Sequence, residues 1–490
     1  MNSTQIIALV IIVLYMVATV AIGLIASNRK KSKTKKQSND DFLMAGKSLG
    51  PVALAGTLFA SNTGGASTTG VATNVYTYGL SASWYVIAAG IGFVLVSFIA
   101  PYFRKTQANT VPEIISKRYG KPSHIFTAIT SIIALFMATG AQIIATASII
   151  NVITGIDFKI AAIITTVVVI IYTMVGGFTS VTATNIMHVL FITVGMTIAM
   201  FIIVNNSAVG GFSALFTKAK TVTDNSGKNL DILSMTKIGL PTIAGYIAMY
   251  FMTFPTGQEI VQTYCSAKDG KSAKLGSVMA GILSAAYAIV PAIIGLVAYV
   301  CIDGFAAGGA QKNALAQATL AFAPAVVAGI VLAAIVAATM SSASGNMIAT
   351  ATMFTNDIFT PYINKGAKDD NKEVWVSRVT MVVVGLAGLG VALTSSNIIN
   401  VMMGAFALRS AGPFAAFICG IFYKNVTQRA GFISIVAGTA VAAIWIYGFN
   451  TPWGLSAIVP GGIVAFAVIF LVSAIDRKMG IEPAKELDLK

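Results

Sequence analysis

The chain has 490 residues, of which 56% are hydrophobic and only 10% are charged, and its mean hydropathy is +0.82. This composition excludes an ordinary soluble domain and is typical of an all-α, polytopic membrane protein. The 32 Lys and Arg against 17 Asp and Glu give a formal net charge of +15. We interpret this excess as a topology signal and not as a nucleic-acid-binding surface.

Apolar segments long enough to cross a bilayer follow one another along the whole chain and predict about thirteen transmembrane helices. The predicted spans are 5–27, 51–78, 82–103, 122–154, 159–176, 183–204, 238–263, 274–302, 320–355, 375–394, 398–422, 430–448 and 456–475. The first span is not expected to be a secretory signal, because its positive charges follow the apolar stretch instead of preceding it. The sequence therefore predicts a multi-pass protein of the cell membrane.

The basic residues are distributed unequally between the two sets of loops. With the N-terminus outside, 25 of the 32 Lys and Arg fall in inside segments, six fall outside and Arg409 lies within a span. Cytoplasmic loops carry such an excess, so we predict an outside N-terminus and an inside C-terminus. The cluster at 29–36 can in addition contact anionic headgroups.

Signatures of enzymes and ATP-driven pumps are missing from the sequence. The three cysteines and two histidines are too scattered for a metal motif, and no Walker A or Gly-x-Ser-x-Gly pattern occurs. The longest gaps between predicted spans, 205–237 and 356–374, are too short for a nucleotide-binding domain. We predict no enzymatic activity and no nucleic-acid partner.

Two predicted spans contain polar or helix-breaking residues. The first carries Gly-rich, hydroxyl-rich residues over 60–70, and the second carries Phe254-Pro-Thr-Gly-Gln-Glu259. Kinks of this kind can serve packing alone. Each break is followed by four further spans, however, which is the pattern of transporters built from two inverted repeats. We predict five units: a leading helix with its basic loop (1–50), a first repeat (51–206), an external loop (207–237), a second repeat (238–423) and two peripheral helices with a short tail (424–490).

A narrow stripe of small and hydroxyl-bearing residues lies in the ninth predicted span. Ala338, Ser341, Ser342 and Gly345 are spaced at i, i+3, i+4 and i+7, so they share one face of a helix. Such a stripe can pack against another membrane helix or can hold a small hard cation. The residues of the stripe alone leave both interpretations open.

Five stretches in the same order resemble motifs of the sodium:solute symporter family, which includes sodium-coupled sugar, proline, pantothenate and sialic acid carriers. The stretches are Asp41–Gly50, Thr110–Gly120, Gly176–Asn185, Gln258–Gln262 and Ala337–Phe359. The resemblance implies a LeuT-type 5+5 inverted-repeat fold and a secondary active transporter that moves sodium together with a small organic solute by alternating access.

The resemblance also implies a sodium site between the first and eighth core helices. Its ligands would be the carbonyls of Ala60, Thr63 and Ala338 and the hydroxyls of Ser341 and Ser342. These neutral oxygens suit a hard cation. Asn185 stands where the family has an acid that in some relatives contributes to a second sodium site or to the exit path of the ion, so one coupled Na+ is favoured.

Carried over by position, the resemblance places seven residues around the solute: Ser67, Thr68, Trp84, Gln142, Phe254, Gln258 and Arg409. Several of them have simpler explanations, since Trp84 can be an interfacial residue and Gln142 can bond two helices. Arg409 is the clue to solute charge, because an arginine deep in a span is costly unless it is paired. Its partner could be a substrate carboxylate, Glu259 or Glu113.

Small carboxylates, including amino acids, are therefore the favoured solutes, while sugars and cations such as choline stay open. The alternatives on the same fold are a proton-coupled carrier, an uncoupled carrier and a transporter-like sensor. The expected partners are a small-molecule substrate and the lipid bilayer. The sequence leaves the oligomeric state open, with a monomer among the states allowed.

Overall fold

The structure is a computed structural model that describes residues 1–31, 48–106, 108, 110–223, 229–302, 314–367, 369–395, 397–449 and 451–487. The side chains of 23–24, 26–31, 175–183, 185–186 and 453 lie outside this description. Within the described ranges all regular elements are helical, and two isolated β-bridges pair Leu49 with Ala267 and Thr223 with Asn229. The predicted all-α class is confirmed.

The α-helices are numbered here in chain order. They are α1 Ser3–Lys31, α2 Pro51–Asn62, α3 Val71–Tyr78, α4 Trp84–Val96, α5 Ala100–Thr106, α6 Val111–Thr154, α7 Phe158–Leu190, α8 Met196–Val204, α9 Gly211–Lys220, α10 Leu240–Thr253, α11 Gln258–Cys265, α12 Gly270–Tyr287, α13 Ile289–Cys301, α14 Ala314–Phe322, α15 Ala325–Met353, α16 Asp370–Thr394, α17 Ile398–Ser410, α18 Pro413–Phe422, α19 Gln428–Tyr447 and α20 Ile458–Lys478. Short π-helical turns at Ala66–Gly70, Phe191–Gly195 and Phe354–Ile363 extend α3, α8 and α15.

Nine helical segments of the described chain are long and apolar enough to cross a membrane, or ten if the bent pair α17 and α18 forms one span. Each of the thirteen predicted spans overlaps one of the helices or broken helices. The lower count arises because the broken and bent segments are individually short, as in the 14-residue α10. The number thirteen and the orientation of the termini stay predictions.

Helix α7 covers both the fifth predicted span and the start of the sixth, yet the chain bends within it. The hydroxyl oxygens of Tyr172 and Thr184 lie 3.0 Å apart. Twelve residues of straight helix would separate their Cα atoms by about 18 Å, farther than the two side chains can reach. The chain therefore turns sharply between these two residues, as the prediction of two separate spans requires.

The first broken helix is formed by α2 and α3. Helix α2 ends at Asn62, Thr63 leaves the helical conformation (φ −90°, ψ 70°), and Gly64 and Gly65 precede the π-helical turn. A Cβ atom added to Gly65 would lie 2.3 Å from Cβ of Ala145 on α6. The glycines are needed here because α6 approaches the unwound backbone closely. We call residues 63–65 the first break.

The second broken helix is formed by α10 and α11, and residues 254–257 between them are called the second break. Pro255 lacks a backbone N–H and cannot continue the hydrogen-bond ladder. A Cβ atom on Gly257 would lie 2.8 Å from Nη2 of Arg409. Glycine at this position thus leaves room for the guanidinium group beside the break.

Helix α15 lies at the centre of the molecule and brings its hydroxyl stripe to the first break. It packs against α1, α6, α7 and α16, and its residues from 331 to 344 are all buried. Alanine and serine predominate in this stretch, and small side chains let neighbouring backbones approach closely. The stripe therefore does take part in packing.

Candidate functional site

The end of α2 and the hydroxyl stripe of α15 meet at a buried junction. Oγ of Ser342 donates a hydrogen bond to the carbonyl oxygen of Ala60 at 3.2 Å and lies 3.4 Å from that of Ser61. Ala60, Ala338, Ser341 and Ser342 are each at most 3% exposed. The structure thus brings Ser342 of the stripe into contact with the end of α2, and the five-residue sodium ligand set stays a prediction.

Thr63 follows the end of α2 and opens the first break. It is fully buried, and its Oγ1 atom has no hydrogen-bond partner among the described residues. A buried hydroxyl without a partner is uncommon unless a water or an ion satisfies it. Neutral carbonyl and hydroxyl oxygens are suitable ligands for one small hard cation. The residues at this junction therefore fit sodium.

Gln142 on α6 holds the unwound backbone in place. Its Oε1 atom accepts a hydrogen bond of 2.7 Å from the backbone N–H of Gly65. A second contact, 2.5 Å between the hydroxyls of Thr146 and Thr339, joins α6 to α15 nearby. Gln142 therefore satisfies an amide that the first break leaves without a helical acceptor.

A small cavity lies between the two breaks and α17. Its walls include the rings of Tyr85, Phe254 and Phe406 and the polar side chains of Gln142 and Asn346. Its volume is about 20 Å³, which is room for about one water molecule. An organic solute therefore requires the surrounding helices to move apart.

A bidentate ion pair forms part of the cavity wall. Nη1 and Nη2 of Arg409 each lie 2.6 Å from an oxygen of Glu259, and the two side chains are 2% and 11% exposed. The guanidinium group also lies over the ring of Phe406, 4.9 Å from its centroid. Of the partners considered from the sequence, Glu259 is the one in contact, whereas Glu113 pairs with Lys117 at 3.2 Å.

Four of the predicted solute-binding residues do not line this cavity. The hydroxyls of Ser67 and Thr68 donate to the carbonyls of Asn62 and Gly64, both at 2.9 Å. Nε1 of Trp84 donates to the carbonyl of Met235 at 2.8 Å. Oε1 of Gln258 accepts from the N–H of Val111 at 2.9 Å.

The reason is local for the two hydroxyls, since a Ser or Thr in a helical turn can bond a carbonyl four or five residues before it in its own chain. Gln142, Phe254 and Arg409 do line the cavity. Asn185, on which the single-sodium prediction depends, has a side chain outside the described residues.

Sequence reasoning missed several residues of the cavity wall, among them Tyr85, Met402 and Phe406. A signal for two of them existed, because Met402, Phe406 and Arg409 fall at i, i+4 and i+7 on α17 and share one face with the buried arginine. Tyr85 had no such signal, because it lies in a helix that is apolar over its whole length.

Comparison with known proteins gives one family over most of the chain. A profile of the sodium:solute symporter family matches residues 42–438. The sodium/glucose cotransporter of Vibrio parahaemolyticus is 26% identical over 470 residues, which cover 89% of this chain and 84% of that protein. The sodium/proline symporter of Escherichia coli K12 is 26% identical over 490 residues, which cover 94% and 93%.

Solved structures agree in fold. A substrate-bound, outward-open Na+-coupled sialic acid symporter has a TM-score of 0.81 at 20% identity and covers 98% of this chain and 99% of its own. MhsT in complex with L-phenylalanine has a TM-score of 0.54 at 13% identity, with 87% and 99% covered. At these identities the likeness shows the fold alone.

Proposed function

The chain belongs to the sodium:solute symporter family, and from this premise we propose that it is a secondary active transporter coupling Na+ to a small organic solute. It is a multi-pass membrane protein and a transporter, not an enzyme. The observation that supports sodium coupling most directly is the buried contact of Ser342 with the Ala60 carbonyl. It joins hydroxyl and carbonyl oxygens of two helices in a place that water does not reach.

The sodium ligands we propose are the carbonyl oxygens of Ala60, Thr63 and Ala338 and the hydroxyl oxygens of Ser341 and Ser342. When sodium binds, Ser342 would direct a lone pair to the ion and release the Ala60 carbonyl, which then becomes a ligand as well. One rearrangement thus supplies two oxygens. With Asn185 in place of the family acid, we propose a single coupled ion.

The solute would bind in the cavity between the breaks, in contact with Gln142, Phe254 and Arg409. The two relatives named above are a sodium/glucose cotransporter and a sodium/proline symporter. A buried arginine favours a solute with a carboxylate, since its planar guanidinium matches two oxygens at once. Ser67, Thr68, Trp84 and Gln258 would act on the solute through the backbone that they hold, not by contact.

Alternating access would begin at the breaks, where the helical hydrogen-bond ladder is already interrupted. The cavity of about 20 Å³ must widen for a solute to enter. Phe254, which stacks on Phe93 with ring centroids 4.0 Å apart, lies in the second break and would move with it. A proton-coupled or uncoupled carrier, or a sensor, would use the same movements without sodium.

The test is uptake into proteoliposomes that contain the purified protein, with and without an inward sodium gradient. The labelled panel holds the twenty protein amino acids, pantothenate, N-acetylneuraminate, choline and D-glucose. We expect one class of solute to accumulate only with the sodium gradient. Accumulation driven equally by a proton gradient, or uptake without accumulation, would contradict sodium coupling.

A further inference from the structure

We propose that the substrate is a zwitterion. Its binding would separate Arg409 from Glu259, and its two charged groups would become their new partners. The substrate carboxylate would bind Arg409, and the substrate ammonium group would bind Glu259. This inference rests on the proposed function, because it assumes that the cavity between the breaks is the solute site. It narrows the solute from any small organic acid to an α-amino or α-imino acid.

The first argument is the charge of the cavity wall. Among the residues that line the cavity, the charged ones are Arg409 and Glu259. Both carboxylate oxygens of Glu259 are engaged by Arg409, each at 2.6 Å. Nε of Arg409 has no partner among the described residues, but the two terminal nitrogens, which form the fork that matches a carboxylate, stay occupied until the pair separates.

The second argument compares solutes of different charge. An anion that takes Arg409 leaves Glu259 buried without its counter-ion, and a cation that takes Glu259 leaves Arg409 in the same position. Stranding one member of a buried, hydrogen-bonded charge pair weakens binding by about 30-fold or more. A zwitterion gives each member a new partner, so it escapes this penalty.

The third argument is the position of the pair beside an interruption of the helical backbone. Glu259 belongs to the first turn of α11, two residues after Gly257 in the second break. Rotation at the break can therefore withdraw the carboxylate from the guanidinium group. Arg409 has separate support from the ring of Phe406, which would keep the cation in place when Glu259 moves.

The walls suit the rest of such a molecule. Tyr85 and Phe254 are each 1% exposed, and both line the cavity. Rings of this kind pack well against a small aliphatic body. The site thus combines one cation, one anion and aromatic rings with the polar side chains of Gln142 and Asn346, which suits a small amino acid.

The first experiment uses the unaltered protein and three compounds with one skeleton: an amino acid, its amide and its des-amino acid. For L-proline these are L-proline, L-prolinamide and cyclopentanecarboxylate. Competition against sodium-driven uptake of the amino acid identified in the panel gives the affinity of each. We expect both single-charge compounds to bind at least about 30-fold more weakly than the zwitterion.

The second experiment uses Glu259→Gln, which removes the charge that an anion would strand. The preference for the amino acid over its des-amino analogue should then fall at least tenfold, whereas a purely structural defect would weaken both compounds equally. Glu113→Gln, which removes a carboxylate from the Lys117 ion pair, is the matched control and should keep the preference of the unaltered protein.

Sodium-driven uptake of D-glucose, choline or a simple anion as the preferred solute would overturn this inference and leave the proposed function standing. Equal affinity for all three compounds of the series would overturn it as well. If Glu259→Gln does not fold, the series on the unaltered protein decides alone. A chain that accumulates no panel member under a sodium gradient contradicts the proposed function itself.

Discussion

The two breaks use the same backbone device but are surrounded by opposite chemistry. At the first break the neighbours are neutral: the hydroxyl of Ser342, the amide of Gln142 and the free hydroxyl of Thr63. At the second break the neighbours are an arginine and a glutamate in direct contact. Interrupted helices thus expose backbone groups in both places, and the side chains around them decide which ligand can bind.

This difference has a physical cause. A single cation can be held by neutral oxygens, which cost less to bury than carboxylates do. Two opposite charges in a membrane interior are tolerated when they satisfy one another, and a ligand that separates them must supply each charge with a new partner. This difference is why we propose an ion beside the first break and a charged solute beside the second.

The largest effect is expected from Glu259→Gln, because it leaves Arg409 buried without a counter-ion. The loss of folding free energy should be about 3–5 kcal/mol, as for other broken buried pairs, measured by thermal unfolding in detergent. The double variant Glu259→Gln/Arg409→Met removes both charges and should recover part of this loss. A single variant as stable as Glu113→Gln would show that the second break does not depend on its charges.

The next effect concerns the close approach of α6 to the first break. In Gly65→Ala the new methyl group would lie 2.3 Å from Cβ of Ala145, and overpacking of this kind costs about 1–3 kcal/mol. The rise in melting temperature that sodium produces should also be smaller in this variant than in the unaltered protein. Gly345→Ala is the control, since a Cβ there has no heavy atom within 4 Å. Equal losses of stability in the two variants would show that the close contact between α6 and the first break is not important.

Removing a single hydroxyl from the stripe on α15 should affect sodium binding and little else. We expect Ser342→Ala and Ser341→Ala to weaken sodium affinity at least about tenfold, since even a supporting hydrogen bond around a metal is worth that much. The measurement is the sodium dependence of uptake. Ser284→Ala removes a buried serine hydroxyl that bonds within its own helix and should leave it unchanged. Unchanged sodium dependence in both stripe variants would exclude the proposed ligands.

The smallest effect is expected from Ser67→Ala. Its hydroxyl bonds the carbonyl of Asn62 across the first break and does not line the cavity. Its loss should cost about 1 kcal/mol of stability and change solute affinity less than twofold, measured by competition uptake. A large loss of solute affinity would instead support direct contact, as the resemblance implied.

Much of the architecture could be predicted from the sequence, because apolar length and helix-breaking residues act locally. The helices overlap the predicted spans, and both breaks fall within the stretches singled out at 60–70 and 254–259. Arg409 was identified as an arginine that needs a partner, since any buried cation does. Its choice of Glu259 over Glu113 required the fold, because the two carboxylates are equally available in sequence.

By itself the sequence determined a membrane transporter with a stripe of hydroxyls and two interrupted helices, since composition and spacing carry that information. Only the tertiary structure decided the direction of each polar side chain. Ser67 and Thr68 bond their own backbone, whereas Ser342 reaches across to another helix. The physical reason is that a buried hydroxyl forms a hydrogen bond with an acceptor within its reach, and helix packing determines which acceptors are within reach.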